Sequence, residues 1–120
     1  MTGWKVSFRI MNEADRRDEV KLLRSLGLCV RAGKTVFGTP MVCEAMRKGG
    51  KQAPVLVIEA GDTSENTHKK LTDKCQFYGV RQIRLSCDGE TLAAAVGKTG
   101  SLAAVAITDK EMCRMAEQYI

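Results

Sequence analysis

RAGKTVFGTPMVCEAMRKGG, residues 31–50, is the stretch around which the rest of the chain is organised. It reads as a loop, a short strand over 34–37, a tight turn and a helix over 39–48, punctuated by Gly33, Gly38 and the pair Gly49-Gly50. Thr39 is placed to N-cap that helix. Pro40, at its first position, gives up an N–H that would be orphaned anyway. Gly38, just before the cap, lets a ligand approach the backbone with no Cβ in the way. The free N–H groups of the first turn then face outward beside Lys34, and a helix N-terminus next to a glycine and a lysine suits an anion. Arg47 and Lys48 complement the dipole at the far end, with Gly49 as C-cap. Ordinary strand–turn–helix corners carry the same punctuation, so local physics leaves both readings open.

Working outward, helix and strand signals alternate. Upstream, Asn12 or Asp15 caps a first helix in which Val20, Leu23, Leu26 and Val30 recur at helical spacing and which ends near Gly33. Its basic residues fit RNA contact and, more simply, ordinary amphipathicity. Before it, Val6, Phe8 and Ile10 alternate with polar residues, so residues 1–11 read either as an extra edge strand or as a flexible leader. Trp4, in that segment, is expected to pack on the surface. Downstream, Pro54 introduces VLVI, residues 55–58, a β-branched run expected as a central strand covered on both faces. Glu59–Thr63 reads as a loop. Thr63 or Ser64 caps a third helix to about Tyr78, with Leu71, Cys75 and Tyr78 on its apolar face. Val80–Leu85 is a strand, Asp88 caps a helix over 89–96, and residues 97–100 form a loop. Leu102–Ile107 is a strand, and Thr108 with Glu111 forms a capping box for the last helix. Alternation of this kind predicts one α/β domain over 1–120: a three-layer α/β/α sandwich on a mostly four-stranded mixed sheet, built by parallel crossovers with a mixed edge.

Composition narrows the function. The chain has 120 residues and a net charge of +5, and the excess is one-sided: residues 1–60 hold 11 Lys/Arg against 6 Asp/Glu, residues 61–120 hold 8 against 8. A basic half favours a polyanion. Five cysteines, no two closer than twelve residues, and a single histidine, His68, argue against a zinc site and for reduced thiols in the cytoplasm. No apolar run is long enough to span a membrane. His68, in the polar run SENTHKK, reads as a surface residue, and Asp62, Glu65 and Asp73 as loop and helix-surface carboxylates. No P-loop, dinucleotide fingerprint or convergent acid–base cluster is present, which argues against an enzyme and against a cofactor.

Three segments carry a resemblance: LLRSLGLCVRAGKTVFGTPMVCEAMRKG (22–49), VLVIEAGDTSENTHKKLTDKCQFYGV (55–80) and LAAAVGKTGSLAAVAITD (92–109). Together they resemble the kink-turn-binding ribosomal protein family, the archaeal and eukaryotic large-subunit and snoRNP-core proteins, and most of all its small bacterial ribosomal-protein-like paralogues. The resemblance implies an α/β/α fold, no cofactor and binding to a kink-turn or related internal loop of structured RNA; ribosomal or transcription-associated proteins are the partners that a protein-interaction reading of the same scaffold would take. It implies RNA contacts by Lys34, Gly38, Thr39 and Pro40 at the second helix, by Lys98, Thr99 and Gly100 up to Leu102 in the loop after the fourth helix, and by Asp62 and Thr63 at a flipped nucleotide. Recognition of this kind reads shape and splayed bases.

One departure stands out. Strong kink-turn binders follow the glycine with an Asn-Glu pair and carry a lysine a turn later; this chain has Pro40, Met41 and Glu44 there. The scaffold therefore matches more fully than the reading head. The alternative is a protein-interaction module on the same scaffold, which an exposed apolar patch around Phe37 and Met41 would favour. A third reading is an appendage related to the RNA-recognition domain of RNA methyltransferases.

Overall fold

A computed structural model describes residues 8–120, in the order β1 (Phe8–Ile10), a 3-10 turn, α1 (Arg16–Arg31), β2 (Thr35–Phe37), α2 (Thr39–Lys48), β3 (Leu56–Glu59), α3 (Glu65–Tyr78), β4 (Arg81–Arg84), α4 (Gly89–Ala95), β5 (Ala104–Ile107) and α5 (Lys110–Glu117). The strands form one sheet in the order β1-β4-β3-β5-β2. The sheet has five strands rather than four, because Phe8–Ile10 pairs in parallel with β4 as an edge strand. The expectations for Val6 and Trp4 lie outside the described residues.

Direction matters more than count. β1 and β3 run parallel to β4, whereas β5 is antiparallel to both β3 and β2. Four strands therefore point one way, and the reversed strand is interior instead of lying at an edge. Each of the four co-directional strands feeds a helix, so the N-termini of α1, α2, α3 and α4 gather at the carboxyl end of the sheet.

Strand alternation sorts the two cores. Leu56, Ile58, Ile83, Val105 and Ile107 pack with Leu22, Leu26, Leu92 and Ala116, beneath α1, α4 and α5. Val57, Ala104 and Ala106 pack with Val42, Met46, Leu71 and Cys75, beneath α2 and α3. All four β3 residues are buried, as a central strand requires. Burying an aliphatic side chain of this size contributes roughly 1.5–3 kcal/mol before chain entropy is charged against it. The alanines of β5 keep that strand thin under α2.

Several local expectations are corrected. The buried stripe of α1 is Leu22, Leu26 and Cys29, with Leu23 and Val30 at its margin, and Val20 is exposed. Glu59 belongs to β3 rather than to the following loop. Tyr78 lies at the surface and not on the apolar face of α3. α5 is capped by Asp109, which accepts from Met112 N, whereas Thr108 is buried. Ser64 caps α3 and Asp88 caps α4, each through its side chain.

Candidate nucleic-acid interface

Because the sheet directions agree, three separated segments meet at its carboxyl end. Gly38 N–H donates to Ala104 O at 2.9 Å, and Ala60 N–H donates to Ala103 O at 2.8 Å. The residues just after β2 and just after β3 thus flank the residues just before β5. The loop over 97–103 joins them, with Lys98 Nζ lying 4.7 Å from the centroid of the Phe37 ring. The carboxyl end of a mostly co-directional sheet, ringed by helix N-termini, is where open α/β folds take ligands.

The α2 corner is open. Gly38, not Thr39, is the N-cap, with φ 85° and ψ 147°, and no side chain caps the helix. A residue with a Cβ is strained there, which is the physical reason for glycine. Thr39 occupies the first helical position and Pro40 the second, because the chain turns one residue earlier than a threonine cap would require. Val42 N–H donates to Gly38 O, and among the described residues nothing accepts from the N–H groups of Thr39 and Met41. Thr39 Oγ1 is buried without a hydrogen-bond partner. Met41 is 59% exposed. Phe37 is half-buried under the Lys98 ammonium, so the apolar patch at this corner is interrupted. Glu44 does not face solvent as a lone carboxylate: Arg47 Nε donates to it at 3.0 Å and a second guanidinium nitrogen completes the fork. The Arg47 guanidinium holds the Glu44 carboxyl below its usual range.

Lys34 sits elsewhere. It precedes β2, and its carbonyl accepts from Thr108 N–H beyond the far end of β5. Four residues of extended chain put it about 13 Å from Gly38, at the opposite end of the sheet. Pairing with β5 is not legible in the sequence, and it leaves Lys34 near Gly38 in the chain but at the other end of β2 in the fold. Lys98, Thr99 and Gly100 are exposed, and Gly97 and Gly100 take positive φ, 77° and 81°, which shapes the loop that carries them.

Asp62 and Thr63 reach the same end but are engaged internally. Asp62 Oδ1 accepts from Gly89 N–H at 2.9 Å, and the Thr63 hydroxyl donates to Ala60 O at 2.6 Å. Arg84 donates to the carbonyls of Gly61 and Thr63 at 3.2 and 3.1 Å. Glu19, buried on α1, accepts from the backbone and hydroxyl of Ser86 and from Cys87 N–H. Gly89 joins two loops: its N–H is held by Asp62, and its carbonyl accepts from Leu102 N–H at 3.0 Å. A Cβ there would collide with the Ser101 hydroxyl and stand 2.9 Å from Leu102 O. The α4–β5 loop therefore rests against the start of α4.

Beneath these loops lies a group the sequence did not disclose. Glu59 is fully buried; His68 Nδ1 lies 3.0 and 2.8 Å from its two oxygens, Gln82 Nε2 donates to it at 2.9 Å, and Arg84 Nε is 3.7 Å away. His68 is thus a partly buried partner of Glu59 and not a surface residue, with the Phe8 ring 5.6 Å from its own. The one available signal was a glutamate ending an apolar run, which strand parity places on the α3 face. A fully covered carboxylate has no open side for a substrate. Among the described residues no group of three His, Cys, Asp or Glu could hold a metal ion. The cysteines are free thiols, and burial pushes Cys75, Cys87 and Cys113 up to about 12, which leaves them unreactive at neutral pH.

The architecture defines a class of protein, an α/β/α sandwich whose carboxyl-end loops form an exposed rim with Lys98 at its open corner. Residues 20–116 match the model of the Ribosomal protein L7Ae/L30e/S12e/Gadd45 family, and the chain belongs to that family. It is 34% identical over 88 residues to the RNA-binding protein YlxQ of Enterococcus faecium, covering 73% of this chain and 79% of that protein. It is 36% identical over 85 residues to the RNA-binding protein YlxQ of Bacillus subtilis strain 168, covering 71% and 80%. Among solved structures, a protein of unknown function from Bacillus halodurans superposes with a TM-score of 0.72 at 29% identity, covering 82% of this chain and 95% of the other. The Giardia lamblia 15.5kD RNA binding protein superposes with a TM-score of 0.70, covering 99% and 93%; at 15% identity it bears on the fold alone.

Proposed function

We propose that this chain is a non-catalytic, cytoplasmic RNA-binding protein that docks the carboxyl end of its sheet on a kinked or internally looped segment of ribosomal or other structured RNA. Family membership and the bacterial RNA-binding relatives support the RNA partner. The observation that carries the reading is the meeting of the unbonded α2 first turn with the Lys98–Gly100 loop at one rim. There, Gly38 admits a phosphate to the N–H groups of Thr39 and Met41, and Lys98 supplies a cation beside them. Asp62 and Thr63 border the rim and hold its second loop. Lys34 lies outside it. For localisation, five free cysteines fit a reducing compartment, and among the described residues no helix is long and apolar enough to cross a membrane.

With Pro40, Met41 and the Arg47-paired Glu44 at the reading positions, phosphate and backbone contacts replace side-chain reading of sheared G·A pairs. Binding accordingly depends on the bent shape and falls steeply with salt. The test is a titration at two salt concentrations of a kink-turn RNA, the same RNA with its G·A pairs replaced by Watson–Crick pairs, and a plain duplex. Preference for the kinked RNA supports the reading. Equal, weak, salt-sensitive binding to all three refutes kink recognition and turns attention to a protein partner.

A further inference from the structure

The outer face of α3 carries chemistry that the rim does not use. Asn66, Lys70, Lys74 and Phe77 follow one another at spacings of four, four and three residues, so they share one side of the helix, opposite the buried Leu71 and Cys75. Phe77 is 80% exposed, the most exposed large apolar side chain among the described residues. Tyr78 meets it edge to face, with ring centroids 4.9 Å apart at 85°. The two rings and the lysines border a shallow groove. Lys69 is paired with Asp73 at 2.9 Å, which neutralises both, whereas Lys70 and Lys74 have no carboxylate partner among the described residues. The face is therefore a net cationic strip ending in an exposed aromatic pair.

Its position gives it a direction. α3 starts at Ser64, next to the β3–α3 loop, and runs away from the rim. The eleven helical steps from Asn66 to Phe77 span about 16 Å. A strand leaving the rim past Thr63 would meet the lysines first and the rings afterwards.

Resting on the RNA-binding reading, we propose that this face is a second RNA-contact surface for a single-stranded segment continuous with the docked RNA: phosphates lie along Lys70 and Lys74, and bases stack on Phe77 and Tyr78. A run of cations leading to aromatic faces is the chemistry of sequence-tolerant single-strand binding. An acidic peptide would use the lysines but would leave an 80% exposed phenylalanine unexplained unless it also supplied an apolar anchor.

The experiment compares the full chain's affinity for a kink-turn RNA with and without an unstructured oligouridine tail of about ten nucleotides, on each strand end in turn. The tail is expected to tighten binding about tenfold, the scale of stacking one base. Phe77→Ala combined with Lys70→Glu removes that gain and leaves the tailless affinity unchanged. No gain from either tail, or a gain that survives the double variant, overturns the proposal and leaves the face to a protein partner. Should the tailless RNA not bind at all, the rim reading itself fails. The oligouridine alone is then titrated into Phe77→Trp in a Trp4→Phe background: quenching of the new indole supports the α3 surface, and its absence overturns it.

Discussion

The rim built from residues 60–64 and 85–89 and the rim built from residues 37–41 and 97–101 lie at the same end of the sheet, yet they are made in opposite ways. In the first, Asp62, Thr63, Arg84, Glu19 and Gly89 bond one another or nearby backbone, above a buried Glu59 that is itself held by His68 and Gln82. In the second, nothing among the described residues accepts from the N–H groups of Thr39 and Met41, Met41 projects into solvent, and Lys98 leans on Phe37 with no carboxylate partner among the described residues. Polar groups already paired cannot gain much from a ligand, whereas unpaired ones can. The closed rim holds shape, and the open rim is left for contact.

That contrast predicts which substitutions affect stability and which affect binding. The largest expected effect is that of Glu59→Leu. It strips the buried partner from His68, Gln82 and Arg84 and should lower the unfolding free energy by about 3 kcal/mol, read from urea unfolding. A loss under about 1 kcal/mol would mean that the network is not what holds the closed rim.

Next is Gly38→Ala. The space for a methyl exists, with Pro40 Cδ 4.0 Å away, but φ 85° with ψ 147° does not suit it. About 2 kcal/mol of stability should be lost through backbone strain, with RNA affinity falling as well, because the open rim turns on this residue. Lys98→Glu should leave unfolding within about 0.5 kcal/mol of the parent. It should weaken RNA binding and reduce the slope of log affinity against log salt by about one unit. An unchanged slope would remove Lys98 from the interface.

The smallest effect separates charge from capping. The Thr91 N–H holds the Asp88 carboxyl below its usual range. A depressed folded-state value gives stability that is present above the unfolded value of about 4 and is lost as pH falls through the folded one. Asp88→Asn keeps a cap but not the charge. Asp88 should therefore be slightly the more stable at neutral pH, and the difference should vanish on acidification, measured as paired urea midpoints.

Local signals made most of this fold legible. VLVI announced a buried central strand, Ser64 and Asp88 their helices, and Gly38 with Pro40 a helix start whose end at Lys48 the structure reproduces. What failed depends on pairing. The reversal of β5 between β3 and β2 is a non-local choice that local pattern does not encode, and it puts Lys34 at the opposite end of the sheet from Gly38. Glu59 and His68, nine residues apart, read as loop and surface because a buried carboxylate is recognised only by its neighbours. Of the residues the family resemblance named, the structure brings Gly38, Thr39, Lys98 and Asp62 to one end of the sheet and shows that Asp62 is engaged by Gly89 N–H.

The most direct test of the account is an amide chemical-shift titration of the full chain with kink-turn RNA. The account predicts that the perturbed amides cluster at Gly38, Thr39 and Met41 and at Lys98 through Leu102, with smaller changes at Gly61–Ser64 and none around Lys34. Shifts concentrated instead on the basic face of α1, or at the Lys34 end of the sheet, would contradict it.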